Sequence, residues 1–236
     1  MIRILTWLWN QPGGRTKYTA QHVNIFASMV RRHCSIRFSL ACVTDMPEGI
    51  DPSVEIIPLP TDFADVTPRW GPRKPNCFRR LSLFRPDAAK IFGGKRIASF
   101  DLDCVIGGDL APILSRKEDF VIFKGTHPSR PYNGSLMLLT AGARPQVYER
   151  FDQAGADASG ERFHGSDQAW LAHCLGPDEA TWSQADGVWH WDAYWKVMNK
   201  VQPRLLFFPG KRKPWEFDRI FPFIKNNYRI AEREAA

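Results

Sequence analysis

Ser99-Phe100-Asp101-Leu102-Asp103-Cys104-Val105-Ile106 is the stretch on which the reading of this chain turns. An apolar run, Arg96 to Phe100, enters two aspartates spaced by one residue, and a Gly107-Gly108 turn follows. Alternate side chains of an extended backbone share a face, so Asp101 and Asp103 are expected side by side. Two carboxylates so placed repel unless a cation or a proton lies between them. Two chemistries use that arrangement. One holds a divalent metal against a diphosphate; the other is a phosphatase, with one aspartate as nucleophile and its neighbour as acid/base.

Around this stretch, the 236 residues suffice for one large domain. No repeat, low-complexity tract or linker divides them, so residues 1–236 are expected to form a single domain. A hydrophobic content of 44% supports a substantial core and excludes disorder. No apolar run reaches the length of a membrane span, and Met1 to Trp9, which lacks a cleavable signal pattern, reads as a first strand. The five cysteines are scattered and form no C-x-x-C pair, which argues against a zinc knuckle or disulfide framework and fits a reducing cytosol. A net charge of +7, with a pI of about 9.3, favours anionic partners such as a nucleotide diphosphate or acidic lipid headgroups. No recognised nucleic-acid motif accompanies it, so nucleic acid is set aside.

Strands are expected at Ile2 to Trp9, Phe38 to Thr44, Val54 to Pro58, Arg96 to Phe100, Phe120 to Phe123, Ser135 to Leu139 and Arg204 to Phe208. Helices are expected from Thr19, as cap, to Arg32, with Val23, Phe26, Ala27 and Val30 on one face, and at Phe78 to Phe84, Arg144 to Gln153, Ser166 to Cys174 and in the tail. Residues 60–76, rich in proline and charge, read as an ordered loop. Strands alternating with helices give an α/β fold, and the less regular alternation after the aspartates makes the sheet mixed, flanked by helices.

Four further segments bear on the aspartates. In Phe207-Phe208-Pro209-Gly210-Lys211-Arg212-Lys213-Pro214-Trp215 a strand ends, glycine lets the backbone approach a ligand, and three cations follow that can neutralise a diphosphate leaving group. Lys-Arg-Lys alone would read as a basic surface loop; Gly210, Pro214 and Trp215 argue for more. In His164-Gly165-Ser166-Asp167-Gln168, Ser166 caps a helix and Asp167 sits in the first turn, where the dipole favours it. Tyr132-Asn133-Gly134-Ser135 is an Asn-Gly turn before an apolar run. Arg79 and Arg80 precede the aspartate strand; neighbours on a helix point about 100° apart, so one of the two is expected to face the aspartates. Trp182, Trp189, Trp191 and Trp195 offer aromatic faces for a sugar.

Taken together, these segments resemble glycosyltransferases of the glycogenin and lipopolysaccharide-galactosyltransferase type (family 8), which have the GT-A fold and carry D-x-D after a central strand and H-x-x-G-x-x-K-P-W late in the chain. Gly210, Lys213, Pro214 and Trp215 are in register with the late motif, while its histidine position holds Phe207. The resemblance spans about residues 95–215. It implies a GT-A-like nucleotide-diphospho-sugar transferase fold, with Asp101 and Asp103 as ligands of manganese or magnesium and the third ligand lost at Phe207. It implies catalytic roles for Asp167, on sugar hydroxyls, and Gln168, near the anomeric carbon. Arg80, Asn133, Gly210, Lys211, Lys213 and Trp215 would bind the donor, and the loop from Trp9 to Tyr18 the nucleotide base. The activity implied is transfer of a hexose, with retention, from a nucleotide-diphosphate sugar, UDP-linked first, to a hydroxyl of a carbohydrate or glycolipid. The expected location is cytoplasmic, with a basic surface suited to peripheral contact with the inner face of a membrane.

Two alternatives stand beside this reading. Phe100-Asp101-Leu102-Asp103-Cys104-Val105 also resembles the nucleophile motif of haloacid-dehalogenase-type phosphatases. In that family the motif follows the first strand of the domain, whereas here residues 1–100 precede it and Asp167, Asp178, Asp186 and Asp192 form no paired acidic motif downstream. The second alternative, kept open by Phe207, is a nucleotide-sugar binder without catalysis.

Overall fold

The first strand, β1 (Ile2–Leu8), is buried along its whole length, as a parallel strand covered on both faces must be. In the computed structural model, which describes residues 1–11, 14, 16–69, 76–208 and 210–231, β1 is an interior strand of a seven-stranded sheet. It pairs in parallel with β2 (Phe38–Thr44) on one side and β4 (Arg96–Phe100) on the other, and β2 pairs with β3 (Glu55–Pro58). Beyond β4 the sheet changes sense: β7 (Arg130–Thr140) runs antiparallel to β4, β6 (Phe120–His127) antiparallel to β7, and β8 (Ala180–Trp182) parallel to β6. The strand order is β3-β2-β1-β4-β7-β6-β8, the mixed sheet expected.

Side chains of β1 alternate between two cores. Ile2, Ile4 and Leu8 face α1 (Ala20–His33), whose Val23, Phe26, Ala27 and Val30 are buried against them. Leu5 and Trp7 face a 3-10 helix at Phe78–Phe84. Further helices follow along the chain. These are α2 (Ala88–Ile91), α3 (Ala111–Leu114), α4 (Gln146–Glu149), α5 (Gln153–Arg162), α6 (Asp167–Leu175), α7 (Trp191–Tyr194) and α8 (Pro222–Asn227), distributed over both faces and the C-terminal part. Of the helix expected over 144–153 the structure forms the four residues of α4, and a second helix, α5, which was not expected, begins at Gln153. Asp152 starts the second by accepting the Gly155 N–H at 2.8 Å, a cap that a single continuous helix could not contain.

The aspartate pair requires a correction. Asp101 and Asp103 do not alternate along one strand; they lie in the turn between β4 and β5 (Cys104–Ile106). Here the chain leaves the large sheet and enters a second, three-stranded sheet, in which β10 (Leu205–Phe207) lies between β5 and β9 (Val188–His190). Leu102, 4% exposed, turns inward at the joint. Asp101 therefore takes its backbone partner from the large sheet, its N–H donating to the Ser135 carbonyl at 2.9 Å, and Asp103 from the small one, its carbonyl accepting from Phe208 N–H at 3.0 Å. Strands β5, β8 and β9, three residues each, are too short to carry a sequence period, and none of them was expected. The five cysteines are free, and no helix among the described residues is long and apolar enough to cross a membrane.

Candidate active site

Arg80 is the hub. The 3-10 helix turns its guanidinium inward, where it is 4% exposed, while the neighbouring Arg79 turns away and donates from Nε to the Pro60 carbonyl at 2.9 Å. One Arg80 nitrogen pairs with Asp101 and the other lies 2.6 Å from Asp167 Oδ2 at the start of α6. Asp101 is further fixed by Ser135, whose hydroxyl donates to Oδ2 at 2.7 Å. Burial alone would favour neutral Arg80, but Asp101 and Asp167 more than offset it and hold the guanidinium charged. Burial also pushes the Asp167 carboxyl upward, and Arg80 opposes it. Gly134 passes so close that a Cβ there would lie 2.9 Å from both Arg80 Nη2 and Asp167 Oδ2; no larger residue fits without parting them.

The Asn133–Gly134 segment also meets Gln168. The Gly134 N–H donates to Gln168 Oε1 at 3.3 Å, and Gln168 Nε2 donates to the His164 carbonyl at 2.9 Å, so the amide is held at both ends. Asn133 Oδ1 accepts the Ser135 N–H at 2.8 Å. Ser166 accepts the Cys77 N–H at 3.0 Å and so ties the start of α6 to the chain just before the 3-10 helix of Arg80.

Asp103 has a different set of neighbours. Its Oδ2 accepts the Tyr18 hydroxyl at 3.1 Å and pairs with the ammonium of Lys213, which is 5% exposed. Burial raises the Asp103 carboxyl, with Lys213 opposing, and burial together with Asp103 holds Tyr18 protonated as a donor. Lys213 Nζ also lies 5.6 Å from the centre of the Tyr18 ring. Trp215 packs edge-on against Tyr18 and His22, with ring centroids 6.0 and 4.4 Å away, and braces the tyrosine. Tyr18 and Ser135 are the residues for which the sequence offered no role of their own: a hydroxyl that bonds a carboxylate 85 positions away leaves no local pattern.

Of the three cations after Gly210, Lys213 reaches the aspartates. Lys211 is exposed and Arg212 pairs with Asp192 at the surface. Gly210 has φ +68, a conformation that favours glycine and turns the chain back toward Asp103. Phe207 is buried in β10, in register with Cys104 and His190, its ring 5.4 Å from that of Phe123. It brings no ligand atom, and the described residues contain no group of three or more His, Cys, Asp or Glu able to hold a metal ion. Trp182, Trp189 and Trp191 are buried in the core, whereas Trp195 is 53% exposed. Part of the Trp9 to Tyr18 loop (Pro12, Gly13 and Arg15) and Pro209 lie outside the described residues.

No protein-family model and no curated protein matches the chain. Solved structures do. The galactosyltransferase LgtC, in complex with donor and acceptor sugar analogs, aligns over 98% of this chain and 98% of its own, with a TM-score of 0.65 at 12% identity. The glycosyltransferase GlyE of Streptococcus pneumoniae TIGR4 aligns over 91% of this chain and 57% of its own, with a TM-score of 0.62 at 10% identity. The bifunctional WbbM aligns over 96% of this chain and 50% of its own, with a TM-score of 0.56 at 11% identity. The mixed sheet flanked by helices, with the aspartate turn at the end of its central strand, is thus the GT-A-like fold that the chain shares with these glycosyltransferases.

Proposed function

We propose that the chain is a glycosyltransferase that moves a hexose from a nucleotide-diphosphate sugar, UDP-linked first, to an acceptor hydroxyl. The observation that carries this reading is the Asp101–Arg80–Asp167 bridge. It joins the aspartate turn to the start of α6, so that the diphosphate end and the sugar end of a donor would meet one rigid framework. A structure in the same fold, 12% identical with a TM-score of 0.67, is that of a glutamine-to-glutamate active-site mutant of LgtC, which is in keeping with an active-site glutamine, here assigned to Gln168. Asp101, Asp103 and Asp167 are each committed to a cation, which leaves none of the three to deprotonate an acceptor as base and favours retention.

The donor set suits a divalent cation bound jointly with substrate phosphates. Three carboxylates face two cations, Arg80 and Lys213, leaving a surplus negative charge, and the Asp101 side chain is 29% exposed. Magnesium-like ions are commonly held by one or two carboxylates plus phosphate oxygens rather than by a full protein cage. Asp101 and Asp103 would hold the ion, which when bound would offset charge on the departing diphosphate. Lys213 adds a fixed positive charge for the same group.

Calorimetry with UDP, with and without manganese, tests the reading. Metal-dependent UDP binding, its loss in Asp103→Ala and turnover of a UDP-sugar are expected. Binding without any hydrolysis or transfer would leave a silent binder, and phosphate-ester hydrolysis through a phosphoaspartate at Asp101 would return the phosphatase. The latter has little support here, since the aspartate turn follows β4 and not the first strand of the domain.

For the acceptor, a glycolipid in an anionic membrane has its own observation. Trp195 packs beside Phe221, ring centroids 5.6 Å apart; Trp195 and Ile220 are 53% and 63% exposed, and exposed Lys196, Lys200, Arg219 and Lys225 flank them in sequence. Aromatic rings and basic side chains together suit an interfacial contact. Flotation with phosphatidylglycerol vesicles but not with neutral ones is expected, reduced in Trp195→Ser; equal flotation with both would remove the membrane from the reading.

A further inference from the structure

Asp101 and Asp103 differ in what holds them. Asp101 is bound by Arg80, itself fixed between two carboxylates on the framework of the large sheet. The cation on Asp103 is Lys213, on a segment that leaves β10, turns at Gly210 and re-enters at Pro214. Its ammonium sits on Oδ2, the oxygen that also takes the Tyr18 hydroxyl. A metal reaching that oxygen meets an ammonium already in place, and Phe207 contributes no ligand to compensate.

Charge makes the two ligands interdependent. With its carboxylates ionised the free cluster carries one net negative charge, three carboxylates against two cations. A divalent ion alone would turn it positive beside Arg80 and Lys213. A nucleotide-sugar diphosphate alone, with two negative charges, would make it three times as negative. Both together leave the net charge unchanged, the least costly outcome in a partly buried site.

We propose that Lys213 stands in for the divalent cation on Asp103 in the free protein and releases that carboxylate only when a diphosphate is present to accept its ammonium. The inference rests on the nucleotide-sugar reading and deepens it: cation and diphosphate bind as one unit, and Lys213 is the positioning residue that couples them. Coupling of this kind is reciprocal, so each ligand raises the affinity of the other by one factor.

Loss of the free Mn2+ signal in electron paramagnetic resonance, titrated on the full chain, tests this without reference to turnover. Wild type is expected to bind Mn2+ about tenfold or more tighter with UDP than without it. Lys213→Met, which keeps the stem and removes the charge, is expected to bind Mn2+ more tightly than wild type in the absence of UDP and to gain less when UDP is added. Lys213→Arg, which keeps the charge if the Met variant fails to fold, is expected to keep UDP-free affinity low. Mn2+ binding in wild type that ignores UDP, or UDP-free affinity that rises in Lys213→Arg or stays unchanged in a folded Lys213→Met, overturns the proposal. UDP binding that ignores Mn2+ overturns this inference alone; no UDP binding under any condition overturns the nucleotide-sugar reading and this inference with it.

Discussion

Asp101 and Asp103 stand two residues apart and belong to different halves of the molecule. Asp101 faces the large sheet and shares a buried arginine with Asp167; its own partners, Arg80 and Ser135, come from a 3-10 helix and a strand, both packed. Asp103 faces the small sheet and is held by a tyrosine and a lysine from segments outside any strand. The contrast teaches that one aspartate is built as framework and the other as an exchangeable contact, although the sequence writes them as an equivalent pair.

The strongest way to break the comparison is Arg80→Met. It strips the cation from two carboxylates, one of them 2% exposed, and is expected to cost about 3–5 kcal/mol in urea unfolding. Lys213→Met should cost distinctly less, about 1–3 kcal/mol, because Asp103 keeps Tyr18. Equal costs would mean that both aspartates are framework. Gly134→Ala sharpens the same point from the backbone side. A Cβ 2.9 Å from both Arg80 Nη2 and Asp167 Oδ2 must push them apart, at about 1–3 kcal/mol, and should impair donor binding with the aspartates themselves untouched. Unchanged stability and binding would show that the bridge is loose.

The smallest effect is acidification, which is expected to reach the Asp103 side through His22. Burial holds the His22 imidazole below its ordinary 6.5, and its Nδ1 lies 3.0 Å from the Thr19 N–H that it accepts. The folded state therefore favours neutral His22. Its contribution is fully present above pH 6.5 and is lost as pH falls through the lower folded value. His33 and His190 are lowered by burial as well, so the readout is a difference. Wild type should lose more melting temperature between pH 7 and 5 than His22→Gln, and parallel curves would remove His22 from the brace around Trp215.

Much of the scaffold was legible from the chain. Largely apolar runs announced β1, β2 and β4, and the face formed by Val23, Phe26, Ala27 and Val30 announced α1, because burial on this scale needs a pattern that sequence records. Asp101, Asp103, Asp167, Arg80 and Lys213 were each singled out from local motifs, and the structure brings all five into one cluster. Hidden were Tyr18 and Ser135, whose hydroxyls act across 85 and 34 positions.

The sequence by itself determined an α/β chain with an acidic pair at a strand end, a basic turn late in the chain and a phenylalanine in place of a histidine, because periodicity and residue chemistry are local. Only the tertiary structure decided that the acidic pair spans two sheets, that one aspartate is clamped by a buried arginine and the other by a lysine, and that Lys211 stays at the surface. Those outcomes depend on which long-range partner can reach a carboxylate taken out of water, and a buried charge accepts whichever cation the packing delivers.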